Sequence, residues 1–362
     1  MIQESAVGTA PRHRRRLAGV LSAGTTALLL VTHASAFAAT AAALGHARPE
    51  LVALGAVLSL AGIANRGRLH HAAHGCVGLS VSQATMCRTS AVSFAANKLV
   101  RSGGAVGIAV FVRHGRHRQL SVSTVTIACL LASVASVVAT GVLVATTGVL
   151  LARSGGLSAW WLAAAGGFIL YLAGMTTILV LAARSRTAAA RAWARVDAMR
   201  CRVARRPVQP GTVVDDLYDA VATARSNRRE LPRVLAHSVA SKAIGAAMLL
   251  AAAGAAGVPI TPSRAVIIYA TSMAASFVSI VPGGFGVVEV ATGAMFVKAG
   301  APVPVAGAAV TLFRTFDVWL PLAIGTALAR GTLRAGAEPD PGEPGAVADA
   351  RVTEPALVAA GP

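Results

Sequence analysis

The chain has 362 residues, 55% of them hydrophobic and only 13% charged, with a mean hydropathy of +0.65. Soluble globular chains carry about a quarter charged residues, so this composition excludes an ordinary soluble fold and points to a polytopic membrane protein. The net charge of +19 comes from 33 basic residues that flank apolar blocks without interleaved aromatics, an arrangement suited to phosphate headgroups and not to nucleic acid.

The predicted elements follow in chain order. Residues 1–16 form a basic cytoplasmic N-terminus ending in Arg14-Arg15-Arg16, and the apolar run from Leu17 to Leu44 reads as a signal anchor. Ala34-Ser35-Ala36 within it leaves signal cleavage as the alternative. Residues 51–64 form a short second crossing, followed by Arg66-Gly67-Arg68-Leu69-His70-His71 as a positive cytoplasmic loop. From Cys76 to Val112 polar residues interrupt the apolar pattern, and both flanks are basic. A broken or re-entrant helical hairpin with its turn at Ser102-Gly103-Gly104 fits, with two short crossings as the alternative.

Residues 120–151 and 157–183 are two clean crossings. Between Arg184 and Arg206 eight arginines face a single acid, Asp197, which places the loop 184–233 in the cytoplasm. Residues 234–257 cross again, and a second interrupted segment from Arg264 to Ala299 carries Pro282-Gly283-Gly284 at its centre. Residues 304–329 make the last crossing, and the Pro-, Gly- and Glu-rich stretch 335–362 is a disordered tail. The expected fold is an all-α membrane bundle of about six full spans within residues 17–334, plus two hairpins related as an inverted repeat. Both termini lie in the cytoplasm. The four cysteines have no metal-like spacing and read as free thiols.

The two interrupted segments resemble each other. Ala95-Ala96, Gly103-Gly104 and Gly107 run parallel to Ala274-Ala275, Gly283-Gly284 and Gly286, with one residue's difference on either side of the glycine pair. An inverted repeat around a midplane site, or glycine turns recurring by chance among 36 glycines, both account for that pattern.

The run Ile280-Val281-Pro282-Gly283-Gly284-Phe285-Gly286-Val287-Val288-Glu289, followed by Gly300-Ala301-Pro302 and by Thr311-Leu312-Phe313-Arg314-Thr315-Phe316-Asp317-Val318-Trp319-Leu320-Pro321, resembles the lysylphosphatidylglycerol synthase transmembrane-region family. The stretch Ala96-Asn97-Lys98 with Gly103-Gly104 is similar to that family's first half. Ser102 stands where the family often has proline, and no synthase domain follows Arg334. The resemblance implies a flippase-like module that translocates a lipid or lipid-linked glycan, without making lysyl-lipid itself.

Of the fourteen acidic residues, Glu289 and Asp317 fall within membrane blocks, where a charge is costly enough to suggest function. Arg314 is the expected partner of both, as a headgroup-binding fork or as a structural ion pair. Pro282, Gly283, Gly284 and Gly286 would free backbone amides at a half-helix start for a phosphate. Asn97, Lys98, Gly103, Gly104 and Lys242 complete the candidate substrate route, with snorkelling to an interface as the alternative for Lys98 and Arg101.

Two other patterns compete. Asp215-Asp216-Leu217-Tyr218-Asp219 could hold Mg²⁺ against a diphosphate in a lipid-modifying transferase, although Thr212 and Asp215 also fit a helix-capping box. His70, His71 and His74 lack further ligands and read as a solvated, headgroup-facing cluster. The reading that follows is a non-enzymatic translocator of an anionic phospholipid or polyprenyl-phosphate lipid in the cytoplasmic membrane, needing no cofactor or metal. A transferase and a non-transporting accessory protein of envelope assembly are the alternatives, and a homo-oligomer stays open.

Overall fold

The computed structural model describes residues 34–100, 104–154, 161–162, 165–170, 174, 227, 229–279 and 282–335, and all regular structure among them is helical. In chain order the helices are α1 (Ala34–Gly45), α2 (Pro49–Cys76), α3 (Gln83–Leu99), α4 (Ala105–His117) and α5 (Val122–Arg153). After these come α6 (Leu231–Ala255), α7 (Pro262–Val278), a short turn of 3-10 helix at Pro282–Gly284, and α8 (Val287–Lys298). The chain then runs through α9 (Val303–Arg314), a wide π turn at Thr315–Trp319, and α10 (Leu320–Ala335). The expectations for residues 17–33, most of 157–183, most of the basic loop, Cys201 and the tail lie outside the described residues.

Proline gives up no hydrogen bond in the first turn of a helix, and Pro49, Pro232, Pro262 and Pro304 all stand there. Four helical stretches are long and apolar enough to cross a membrane: Pro49–Cys76, Val122–Arg153, Leu231–Ala255 and Val303–Arg330. Their outward faces carry Leu54, Val57 and Leu60 on α2 and Val138, Val142 and Val149 on α5, all exposed as contact with acyl chains requires. Inside, Leu249, Ala252, Ala253, Phe296, Phe313 and Phe316 form the main core.

The two interrupted segments are helical hairpins. Their arms have 17 and 13 residues in the first and 17 and 12 in the second. At about 1.5 Å per residue no arm exceeds ~26 Å, short of a hydrocarbon core of about 30 Å. The local architecture repeats at a constant offset in numbering. Ser82 and Thr261 cap the first arms, each hydroxyl accepting a hydrogen bond from the amide three residues on. Val100 and Ser279 end those arms in extended backbone, and Gly104 and Gly283 turn the chain with φ of +94° and +69°. A side chain would be strained at either glycine.

At the centre α2 and α6 run antiparallel. Arg48 N donates to Ala255 O at 2.9 Å at one end, and Asn227 Nδ2 donates to Gly75 O and Cys76 O at 3.4 and 3.3 Å at the other. Midway, Asn65 Nδ2 donates to His237 O at 2.8 Å and to Ser241 Oγ at 2.9 Å, polar glue of the kind used between membrane helices. The first hairpin leaves from the Cys76 end of α2 and the second from the Ala255 end of α6, so they start at opposite ends of this pair. Neighbour relations correspond as well: α2 packs on α5 as α6 packs on α9, and α3 packs on α10 as α7 packs on α5.

One expectation is corrected. The basic stretch from Arg66 to His71 is no loop; it lies inside α2, which runs unbroken through 28 residues. Gly62, Gly67, Ala72 and Ala73 are buried along it, so neighbouring helices pack closely there and the helix continues past its charges. The histidines are not a solvated cluster either. His74 is buried, His74 Nδ1 meets His70 O at 2.7 Å, and the His70 ring lies 4.4 Å from that of Phe111 on α4. Only His71 of the three is exposed, and its Nδ1 reaches Val81 O at 3.0 Å.

Candidate functional site

A guanidinium held away from water must be surrounded by acceptors or its burial is uncompensated. Arg314, with 6% of its side chain exposed, is so surrounded. It ends α9, about 17 Å along the 28-residue stretch Val303–Arg330 and so near its middle. Its Nε lies 2.6 Å from Glu289 Oε1, a close contact of opposite charges that is not aligned as a hydrogen bond. Nη2 donates to Gly283 O at 2.8 Å, and Nη1 lies 4.0 Å from Asp317 Oδ2. Its flat face covers Phe285 at 5.1 Å, and Phe285 in turn stacks on Trp319 at 5.4 Å. One side chain thus links the turn of the second hairpin to α9 and the π turn that follows it.

The π turn that carries Asp317 follows directly. Such wide turns leave the regular helical bonding disturbed and recur at functional positions. Ser59 Oγ on α2 donates to Phe316 O at 2.6 Å within the turn, and Gly55 leaves room for the Phe316 ring.

The first hairpin supplies the other side of the site. Lys98 stands in the last turn of α3, next to the hairpin end, and its ammonium lies 5.3 Å from the Phe94 ring. The guanidinium of Arg66 on α2 lies 4.0 Å from the centroid of that ring. Lys98 interacts electrostatically with Asp317, Arg66, Arg314 and Glu289. Lys242, about 17 Å along α6 and so near its middle, interacts with Arg66, Asp317 and Lys98. The turn Pro282–Gly284 packs on α3, so the ends of the two hairpins meet over these charges.

Glu289, Arg314, Asp317, Lys98, Lys242, Gly283 and Gly284 are therefore brought together, while Gly103 lies outside the described residues. Pro282 opens the turn and Gly286, at φ +84°, closes it ahead of α8. Towards Arg314 the turn presents a carbonyl, that of Gly283, and Glu289 occupies the first turn of α8, where a carboxylate complements the helix dipole. Asn97 has a different contact. Its Oδ1 accepts from Gly107 N at 2.9 Å and ties the arms of the first hairpin together beyond Gly104. Asn97→Ala would leave that amide without its partner, and a loss of about 1–3 kcal/mol is expected in thermal unfolding of the purified protein. An unchanged unfolding curve would dissociate the bond from hairpin stability.

Sequence reasoning missed Arg66, Phe94 and Ser59. The sequence pattern places Arg66 in a loop. The signal that could have found it is the recurrence of small residues, Gly62, Gly67 and Ala72, straight through the basic stretch, which marks a packed helix face. The Asp215, Asp216 and Asp219 pattern lies outside the described residues.

Comparison with known proteins agrees with the motif reading. The model of the lysylphosphatidylglycerol synthase TM region matches residues 16–325, a span that contains both hairpins and all the charges above. A search of curated proteins gave no match. With the match covering most of its length, the chain belongs to the lysylphosphatidylglycerol synthase TM region family.

Proposed function

We propose that this membrane protein translocates a lipid with an anionic headgroup, a phospholipid or a polyprenyl-linked glycolipid, across the cytoplasmic membrane. The observation that carries the reading is the set of ionisable side chains at mid-depth, Arg66, Lys98, Lys242, Arg314, Glu289 and Asp317, gathered where two half-crossing hairpins meet. Charges at that depth are costly and mark ion or substrate routes. The antiparallel α2 and α6, the repeated hairpin geometry and the matching neighbour relations support an inverted repeat, in which binding sites lie at the interface of the halves.

A recess at Arg66, lined by Ile63, Ser90, Ala91, Phe94 and Pro321, is too tight for a water molecule. The helices are closed at Arg66, and a headgroup reaches it only when the hairpins separate. In this reading the wall formed by Arg66, Lys98 and Arg314 draws in the phosphate, and Glu289 holds an amine of the headgroup or a proton. The polar head passes between the hairpins while the chains stay in lipid.

The test is leaflet-resolved labelling in reconstituted vesicles with fluorescent phosphatidylglycerol, phosphatidate and a polyprenyl phosphate. Wild-type protein is expected to accelerate the exchange of at least one of them, and Glu289→Gln to slow it by about tenfold or more, the equivalent of one charge-assisted contact. Exchange no faster than in empty vesicles for all three lipids would overturn the proposal.

A further inference from the structure

The charges at the site do not balance. Arg66, Lys98, Lys242 and Arg314 are basic, while Glu289 and Asp317 are the carboxylates that face them among the described residues. Among the described residues the remaining acids are Glu50, at the start of α2, and Glu230, which is paired with Arg233. Glu289 contacts Arg314 and also faces Lys98, and Asp317 faces Arg66, Lys98 and Lys242. Among the described residues the basic groups at the site outnumber the acids by two.

The surplus sits on one side. Arg314 has a carboxylate, a carbonyl and an aromatic face around it. Arg66 has the Phe94 face, but its Nη1 is shielded from water and makes no hydrogen bond. An arginine stays charged at any accessible pH, and its fork is shaped for two oxygens of a phosphate. A cation buried without acceptors costs stability, and proteins keep such a group where a ligand completes it.

We infer that this site, resting on the translocation reading above, takes a headgroup with two negative charges, a phosphomonoester or a diphosphate, in preference to a singly charged phosphodiester. Arg66 receives one pair of phosphate oxygens, with Lys98 and Lys242 as point charges on either side. Arg314 keeps the second hairpin in place and completes the cationic wall. Phosphatidylglycerol carries one charge and satisfies half the surplus; phosphatidate and polyprenyl diphosphates carry enough to cancel it.

Binding tests this without requiring transport. Wild-type protein in phosphatidylcholine nanodiscs is titrated at pH about 7, where a phosphomonoester with a second pKa of about 6 is mostly doubly ionised. The probes are dioleoyl phosphatidate, dioleoyl phosphatidylglycerol, farnesyl diphosphate and inorganic pyrophosphate. Phosphatidate is expected to bind at least about tenfold tighter than phosphatidylglycerol of the same chains, and farnesyl diphosphate to compete with it. Arg66→Met and Lys242→Met should bring the two glycerolipids to near equality, while Lys242→Arg keeps the preference.

Equal affinities in the wild type, or a preference unmoved by Arg66→Met, would overturn the inference. Pyrophosphate competing as well as farnesyl diphosphate would overturn the assignment to a lipid. The melting temperature without ligand is the control for folding. Arg66→Met should melt at or above the wild type, because it removes an uncompensated charge, and a lower value would mark Arg66 as structural and overturn the inference. A binding preference without any lipid exchange would fault the translocation reading alone. Brisk exchange with unselective binding would fault only the inference.

Discussion

Arg314→Ala should destabilise the protein by about 3–5 kcal/mol, the range for removing one partner of a buried ion pair. The truncation leaves the Glu289 carboxylate, the Gly283 carbonyl and Asp317 facing a gap, and it removes the pin between the second hairpin and α9. Thermal unfolding in detergent, followed by size-exclusion recovery after heating, would show the loss. A melting temperature within a degree of wild type would refute this account of how the hairpin is held.

Replacing both partners separates stability from transport. Buried pairs exchanged for apolar residues of similar volume are often neutral or better in stability. Glu289→Leu with Arg314→Met should therefore recover most of what Arg314→Ala loses, yet still fail to move lipid. Recovery of both properties would make the pair a helix lock and nothing more.

The second large effect is expected at Gly325, where α10 meets α3 almost backbone to backbone. A Cβ there would overlap the carbonyl oxygen of Ala91 and lie 2.8 Å from Ala95 Cβ. The obstacle is main chain, so no side-chain rotation relieves it, and α10 and α3 must move apart. Gly325→Val should cost about 1–3 kcal/mol or more, as overpacking does, and loosen the first hairpin. Hydrogen exchange of the α3 and α4 amides, compared with wild type, checks the direction; unchanged exchange and melting would show that the contact is not tight in the protein.

Both predictions depend on where chain segments meet, and this is also where sequence reading reached its limit. Glycine pairs and proline breaks are local signals, because only glycine accepts positive φ without strain, and so the turns near Gly104 and Gly283 could be placed from the sequence alone. The pairing of Glu289 with Arg314 was also legible, since both acids within membrane blocks needed a cation and only one stood nearby on a neighbouring helix. Arg66 was not. A basic run after an apolar block reads as a loop, and only the packing of Gly67 against Cys87 shows that the helix continues.

Composition, apolar block length and the flanking arginines determined by themselves that the chain is a helical membrane protein with two interrupted segments, because each follows from the cost of leaving polar backbone or charge in hydrocarbon. The meeting of Arg66, Lys98 and Lys242 with Glu289, Arg314 and Asp317 was decided only by tertiary structure. These residues are spread over five helices, and the close approaches at Gly55, Gly67 and Gly325 set which faces touch. Hydropathy reports the solvent around each segment, whereas contact between distant segments depends on the shapes that pack between them.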